Sequence, residues 1–191
     1  MSKKRSNLET ITLGSGNLYA TAVPDTIPAT MEDVKALCIE TNILGCIKGG
    51  ASIEYSGEFY EAQDDFGVVK KTVMTTEGAT LKSGLITWNG ETLKKIIRTA
   101  RVQASTGTRI TKIGGIGNED KSKQLLIFHH PDTVDGDVYV MMVAQSKSGF
   151  TLQFAKDSET VVDAEFSAVS ADNEGTLITM FEETDETNDP K

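Results

Sequence analysis

Two cysteines, four prolines, two histidines and one tryptophan are all that 191 residues hold of these types, and aromatics make up only 6%. Each shortage excludes something. Cys38 and Cys46 match no CxxC or zinc-knuckle spacing, which speaks against a disulfide framework and for two reduced thiols in a cytosolic protein, each expected as a small core residue. His129 and His130 are adjacent in Leu125-Leu126-Ile127-Phe128-His129-His130, a strand pattern that points their side chains to opposite faces and away from a shared metal. No apolar run exceeds Val138 to Ala144, far short of the roughly 20 residues a membrane-spanning helix needs. Met1 to Arg5 is basic but continues into Ser6, Asn7 and Glu9 instead of an apolar stretch, so no secretory leader is expected.

Positive charge is scarce as well. The 19 Lys and Arg face 28 Asp and Glu, a formal net charge of −9. A surface this acidic repels phosphate backbones and anionic lipid, which argues against membrane-surface and nonspecific nucleic-acid binding. The two ends depart from the average: Lys3, Lys4 and Arg5 open the chain, while Glu182, Glu183, Asp185, Glu186 and Asp189 stand against Lys191 near its close. The organisation expected is a basic arm over residues 1–9, one β domain over 10–183 and an acidic tail over 184–191, the arms being solvated ends or interaction segments.

What the chain does have is glycine at regular intervals, at Gly57, Gly67, Gly78, Gly90 and Gly107 and again at Gly136, Gly149 and Gly175, with β-branched and aromatic runs between. That punctuation predicts a mainly antiparallel β protein. Thr160 to Ser170 alternates cleanly, with Val162, Ala164, Phe166 and Ala168 on one face. Val138 to Ala144 is apolar on both parities, so it is either covered on both faces within the fold or meets another subunit. Leu125 to Phe128 shows the same pattern, and Pro131 to Gly136 joins the two as a hairpin.

Two helices are expected. One covers about 90–101 after the N-cap Asn89, with Leu93, Ile96, Ile97 and Ala100 as its apolar stripe and Lys94, Lys95, Arg98 and Arg101 opposite, a basic face that is either solvated or a site for an anion or acidic partner. The other covers about 31–37, capped by Thr30 with Glu32 and Asp33 in its first turn. Between them a long hairpin spans 51–78, turning at Asp64-Asp65-Phe66-Gly67. Its strands exceed the usual five or six residues and expose sheet edges that a neighbouring subunit would cover.

Catalytic and ligand patterns fail one by one. Gly115-Ile116-Gly117 lacks a third glycine and a following helix, so it is a turn. Asp132, Asp135 and Asp137 surround Gly136 without EF-hand spacing. No P-loop, nucleophile elbow or Ser/His/Asp set is present, and abundant carboxylates alone do not make an acid/base pair. No catalytic, cofactor-binding or metal residue is assigned.

The order of features resembles that of the major tail tube proteins of long-tailed (siphovirus-type) bacteriophages and related prophages of Gram-positive bacteria. The resemblance covers roughly residues 10–183. It is carried by Ile53-Glu54-Tyr55 with Glu61-Ala62-Gln63-Asp64-Asp65-Phe66-Gly67-Val68-Val69-Lys70-Lys71, by Lys82 to Leu93 entering the helix, by Lys112-Ile113-Gly114-Gly115, and by Asp163-Ala164-Glu165-Phe166 leading through Asp172 to Leu177 and on to Glu182-Glu183. The resemblance implies a β-sandwich or small barrel of two antiparallel sheets with a flanking helix. It further implies homo-hexameric rings stacked into a tail tube, tape measure, tail terminator and baseplate or tip proteins as partners, DNA passing through without specific binding, no enzymatic activity, and a place in the virion after synthesis in the bacterial cytoplasm. An inner tube of a contractile or tail-like injection apparatus shares these features. A small-ligand or carbohydrate-binding barrel fits less well, because one tryptophan and 6% aromatics furnish little of the pocket it needs.

Overall fold

The computed structural model describes residues 11–68 and 70–184. The expected arms, 1–9 and most of 184–191, lie outside the described residues, as does Val69 within the hairpin. Among the described residues ten strands and two α-helices follow in order: β1 Asn17–Ala22, α1 Met31–Leu37, β2 Ile43–Gly45, β3 Ile47–Gln63, β4 Lys70–Leu85, α2 Gly90–Ile96, β5 Ala100–Ser105, β6 Thr108–Ile113, β7 Gln124–His130, β8 Val138–Ser146, β9 Val162–Ala168 and β10 Thr179–Glu182. All pairings are antiparallel. The strands are apportioned unequally, eight to one sheet in the order β2-β1-β7-β8-β9-β4-β3, with β10 also on β8, and two to a separate β5–β6 hairpin.

The large sheet rolls up on itself. Its end strands β2 and β3 are separated in sequence by Cys46 alone, and the Ile86 N–H donates to the Cys46 carbonyl while Thr87 Oγ1 accepts from the Cys46 N–H. Alternate residues of the strands therefore converge inside: Leu18 and Ala20, Leu44, Leu81 and Leu85, Leu126, Met142 and Ala144, and Val162, Ala164 and Phe166 form one buried cluster. Leu93, Ile96, Ile97 and Ala100 join it from α2 and the residues after it. Burying side chains of this size stabilises the fold by roughly 1.5–3 kcal/mol each.

Strand β8 settles one open question. Met142 and Ala144 face the interior, whereas Tyr139, Met141 and Val143 belong to a second cluster with Tyr19, Val34, Leu125 and Ile127. The α1 helix roofs that second face, with Val34 fully buried and Met31 and Leu37 packed beside it, so the chain covers β8 on both sides itself and no subunit is needed there. The helix begins where the sequence places it: the Thr30 side chain accepts from the Asp33 N–H and the Asp33 carboxylate accepts from the Thr30 N–H.

Two expectations are corrected. Helix α2 stops at Ile96 instead of running to 101, because Ile97 is already extended and β5 starts at Ala100. The stripe Leu93, Ile96, Ile97 and Ala100 is buried nonetheless. Cys38 is half-buried against the second cluster, but Cys46 is exposed at the junction of β2 and β3 and is not a core residue.

Candidate functional site

The long hairpin is longer than the sequence marked it. β3 has 17 residues and β4 has 16, where about six is usual. β9 pairs with β4 only from Thr80 to Leu85. Beyond that point, among the described residues, the outer edges of β3 and of residues 70–79 carry no partner strand. The root of this ribbon bends where Gly49 and Gly50, both at positive φ (76° and 82°), bulge out between Lys48 and Ala51.

Register decides what the ribbon presents. Paired residues share a face, so Ile53 with Leu81 leads outward to Tyr55 with Ala79 and, past a bulge at Thr75, to Phe59 with Met74. Leu81 and Ile53 pack on the barrel core, so this is the core-facing side of the sheet continued beyond its cover. Phe59 is 62% exposed, and Tyr55 and Met74 lie open beside it. The opposite face carries Tyr60 with Val73, also exposed, among Glu54 and Glu58. Phe66 and Val68 are almost fully exposed at the tip, where the Gly67 N–H donates to the Asp64 carbonyl. Polar contacts join the two strands of the ribbon: Tyr55 donates to Glu77 at 2.7 Å, Lys70 to Glu61 at 3.1 Å and Thr76 to Glu58 at 3.0 Å. Hydrogen bonding to the Glu77 carboxylate pushes the Tyr55 phenol above its ordinary range. Tyr55 and Glu77 also wall an open groove whose other side is Glu174, Gly175, Thr176, Leu177, Ile178 and Met180.

The sequence's chemical candidates go to structural uses. His129 and His130 do point to opposite faces. The first stacks on Tyr139 with centroids 4.3 Å apart and bonds Asp137 at 3.0 Å, and the second donates from Nδ1 to the Ser15 carbonyl at 2.8 Å. Asp132 Oδ1 accepts from the Val134 and Asp135 N–H groups, and Asp137 Oδ1 from the Asp132 N–H, so these carboxylates close the β7–β8 turn. Among the described residues no group of three or more His, Cys, Asp or Glu is arranged to hold a metal. Gly115-Ile116-Gly117 is a turn, with a short 3₁₀ segment at Ile116–Asn118.

The basic face expected on one helix is dispersed. Lys95 lays its stem into the structure and donates to the Ala20 carbonyl, and burial pulls its pKa down. Arg98 pairs with Glu119 at 3.1 Å, and Arg101 sits on β5. Sequence reasoning missed the Gly49-Gly50 bulge, the groove beside Tyr55 and the β5 strand. The first and third had signals, a glycine pair inside a strand pattern and Val102 beyond the last helical apolar position; the groove had none.

No protein-family model matches the chain, and no curated protein matches it in sequence.

Proposed function

We propose that the chain is a structural, self-assembling subunit of a tail tube, forming hexameric rings that stack into a conduit for DNA. What supports the reading is the ribbon. A two-stranded hairpin is at best marginally stable in water, and one with unpaired edges and apolar side chains on both faces is a template for another strand. In a ring, the β3 edge of one subunit pairs with its neighbour, and Tyr55, Phe59, Tyr60, Val73 and Met74 are covered. The net charge of −9 then keeps DNA mobile inside the tube instead of bound. The barrel interior is filled by side chains, which disfavours a small-ligand carrier.

The test is negative-stain microscopy with sedimentation velocity over a range of protein concentrations. Rings about six subunits around, and tubes above a threshold concentration, are expected. A protein that stays monomeric at every concentration, alone and in virions, refutes the proposal.

A further inference from the structure

The chain is strongly polar in its charge. Between Lys94 and Lys123 eight Lys and Arg stand against Glu119 and Asp120, a net +6 inside a protein of −9. This stretch runs from α2 through the β5–β6 hairpin to the start of β7. On one exposed face of that hairpin Arg101 lies directly opposite Lys112, followed by Gln103 opposite Ile110. Like charges paired across strands destabilise a ribbon. Among the described residues neither cation has a carboxylate within ion-pair distance; Arg101 reaches only the Gly114 carbonyl, at 3.1 Å. Two facing, uncompensated cations in an acidic protein are a local conflict that an external anion relieves.

We propose that this face, centred on Arg101 and Lys112, docks the acidic C-terminal segment of a second copy, through Asp185, Glu186 and Asp189. The chain's own tail leaves the fold at the opposite pole. Glu182 pairs with Val138 at one end of β8, whereas Ser146 at the other end donates to the Ile96 carbonyl, four residues before β5 begins. The nine residues of β8 set the two poles roughly 27 Å apart. From Thr184 to Asp189 an extended backbone spans at most about 18 Å and does not by itself bridge that distance. A copy placed head to tail along the strand direction brings its acidic end to the cationic hairpin with no such gap. The contact therefore deepens the stacking reading, since it joins subunits along the tube axis while the ribbon joins them around the ring.

The test separates docking from tube formation. A labelled peptide of residues 182–191 is titrated with the full-length protein and with the Arg101→Glu, Lys112→Glu double variant, whose exposed positions leave folding intact by circular dichroism. Binding that weakens at least tenfold in the variant, and also weakens between 50 and 300 mM salt as screening requires, is expected. Equal binding to both proteins overturns the proposal, as does preferential capture of a labelled DNA oligonucleotide by the same face. In assembly, the hairpin variant and the tail variant Asp185→Lys, Glu186→Lys, Asp189→Lys should each give rings without long tubes, and combining the two reversals should restore tubes. Single reversals that stack like the parent overturn docking while leaving the ring intact. A parent that never forms rings counts against the tube, and the peptide titration still decides the contact.

Discussion

Phe59→Ala separates the ribbon's part in the proposed assembly from its part in folding. Phe59 is 62% exposed in the isolated chain, and its cross-strand partner Met74 is also exposed, so truncation removes little buried surface from the fold. The subunit should lose no more than the value of one cross-strand pair, under about 1 kcal/mol. A phenylalanine offers about 200 Å² of surface, so the exposed part amounts to about 120 Å², and at 25 cal/mol per Å² its burial in a subunit contact contributes about 3 kcal/mol. That corresponds to a factor of about 150 in the association constant. The assay is the concentration at which rings appear in sedimentation velocity, read beside the thermal midpoint of the monomer. A threshold raised by two orders of magnitude with a midpoint within about 3 °C of the parent is expected. An unchanged threshold refutes the reasoning, because Phe59 would then remain exposed in the assembly.

Three further outcomes test the fold. Gly136→Ala should lower the thermal midpoint by roughly 6–12 °C, since Gly136 holds φ 98° and an added Cβ would lie 2.4 Å from the Glu183 carbonyl oxygen, a combined cost of about 3 kcal/mol. A shift under 2 °C would mean that the β7–β8 turn does not constrain the end of β10. Thr30→Ala removes the α1 cap and should cost roughly 2–4 °C at neutral pH. Hydrogen bonds from the Thr30 side chain and then its N–H hold the Asp33 carboxyl below its usual range, so this contribution is complete above about pH 4 and is lost as pH falls through the lowered value. The gap between parent and variant should accordingly narrow in acid, and a pH-independent gap counts against the capping box. Finally, iodoacetamide at pH 8 should modify the exposed Cys46 and spare Cys38, whose thiol burial pushes up to about 11, until urea unfolds the chain; rapid native labelling of both would contradict the packing of α1.

Periodicity made the outline of the fold legible. Alternation in β9, the two-sided apolar run of β8 and the capping box of α1 all report local geometry, and local geometry is what spacing encodes. The roll of the sheet was not legible, because it depends on β2 and β3, on either side of Cys46, pairing with strands as far apart in sequence as β1 and β4. Helix α2 was overextended for a related reason. Ile97 and Ala100 continue the 3.6-residue stripe, yet they enter the core in extended backbone, where tertiary burial overrides the period. The double apolarity of β8 was consistent with a subunit contact from sequence alone; only the position of Val34 on α1 decides that the chain covers it. The ribbon could be read as long, but not which side chains it leaves uncovered, since the Thr75 bulge sets which residues share a face beyond Glu58.

Net charge is a poor guide to this molecule, and its distribution a better one. A uniform −9 would make like subunits repel at every approach and would give no orientation to their contacts. With +6 gathered between Lys94 and Lys123, the remainder of the chain carries −15, and Asp137, Glu182 and Glu183 lie at the opposite end of the strands from the cations. Such a subunit repels a neighbour that meets it pole to like pole and attracts one aligned head to tail. Screening shortens the reach of this selection to about 10 Å at 0.1 M salt, so it acts only once subunits are nearly in contact, where it sets polarity. The ribbon carries no such directional charge; Glu54, Glu58 and Glu61 are acidic along its length, with Lys70 and Lys71 near the tip. In the proposed assembly its association rests on backbone pairing and apolar cover, which salt strengthens or leaves alone. Raising salt should in consequence preserve rings while dissolving their stacking, and an assembly whose rings fall apart before its stacks would place the two kinds of contact the other way round.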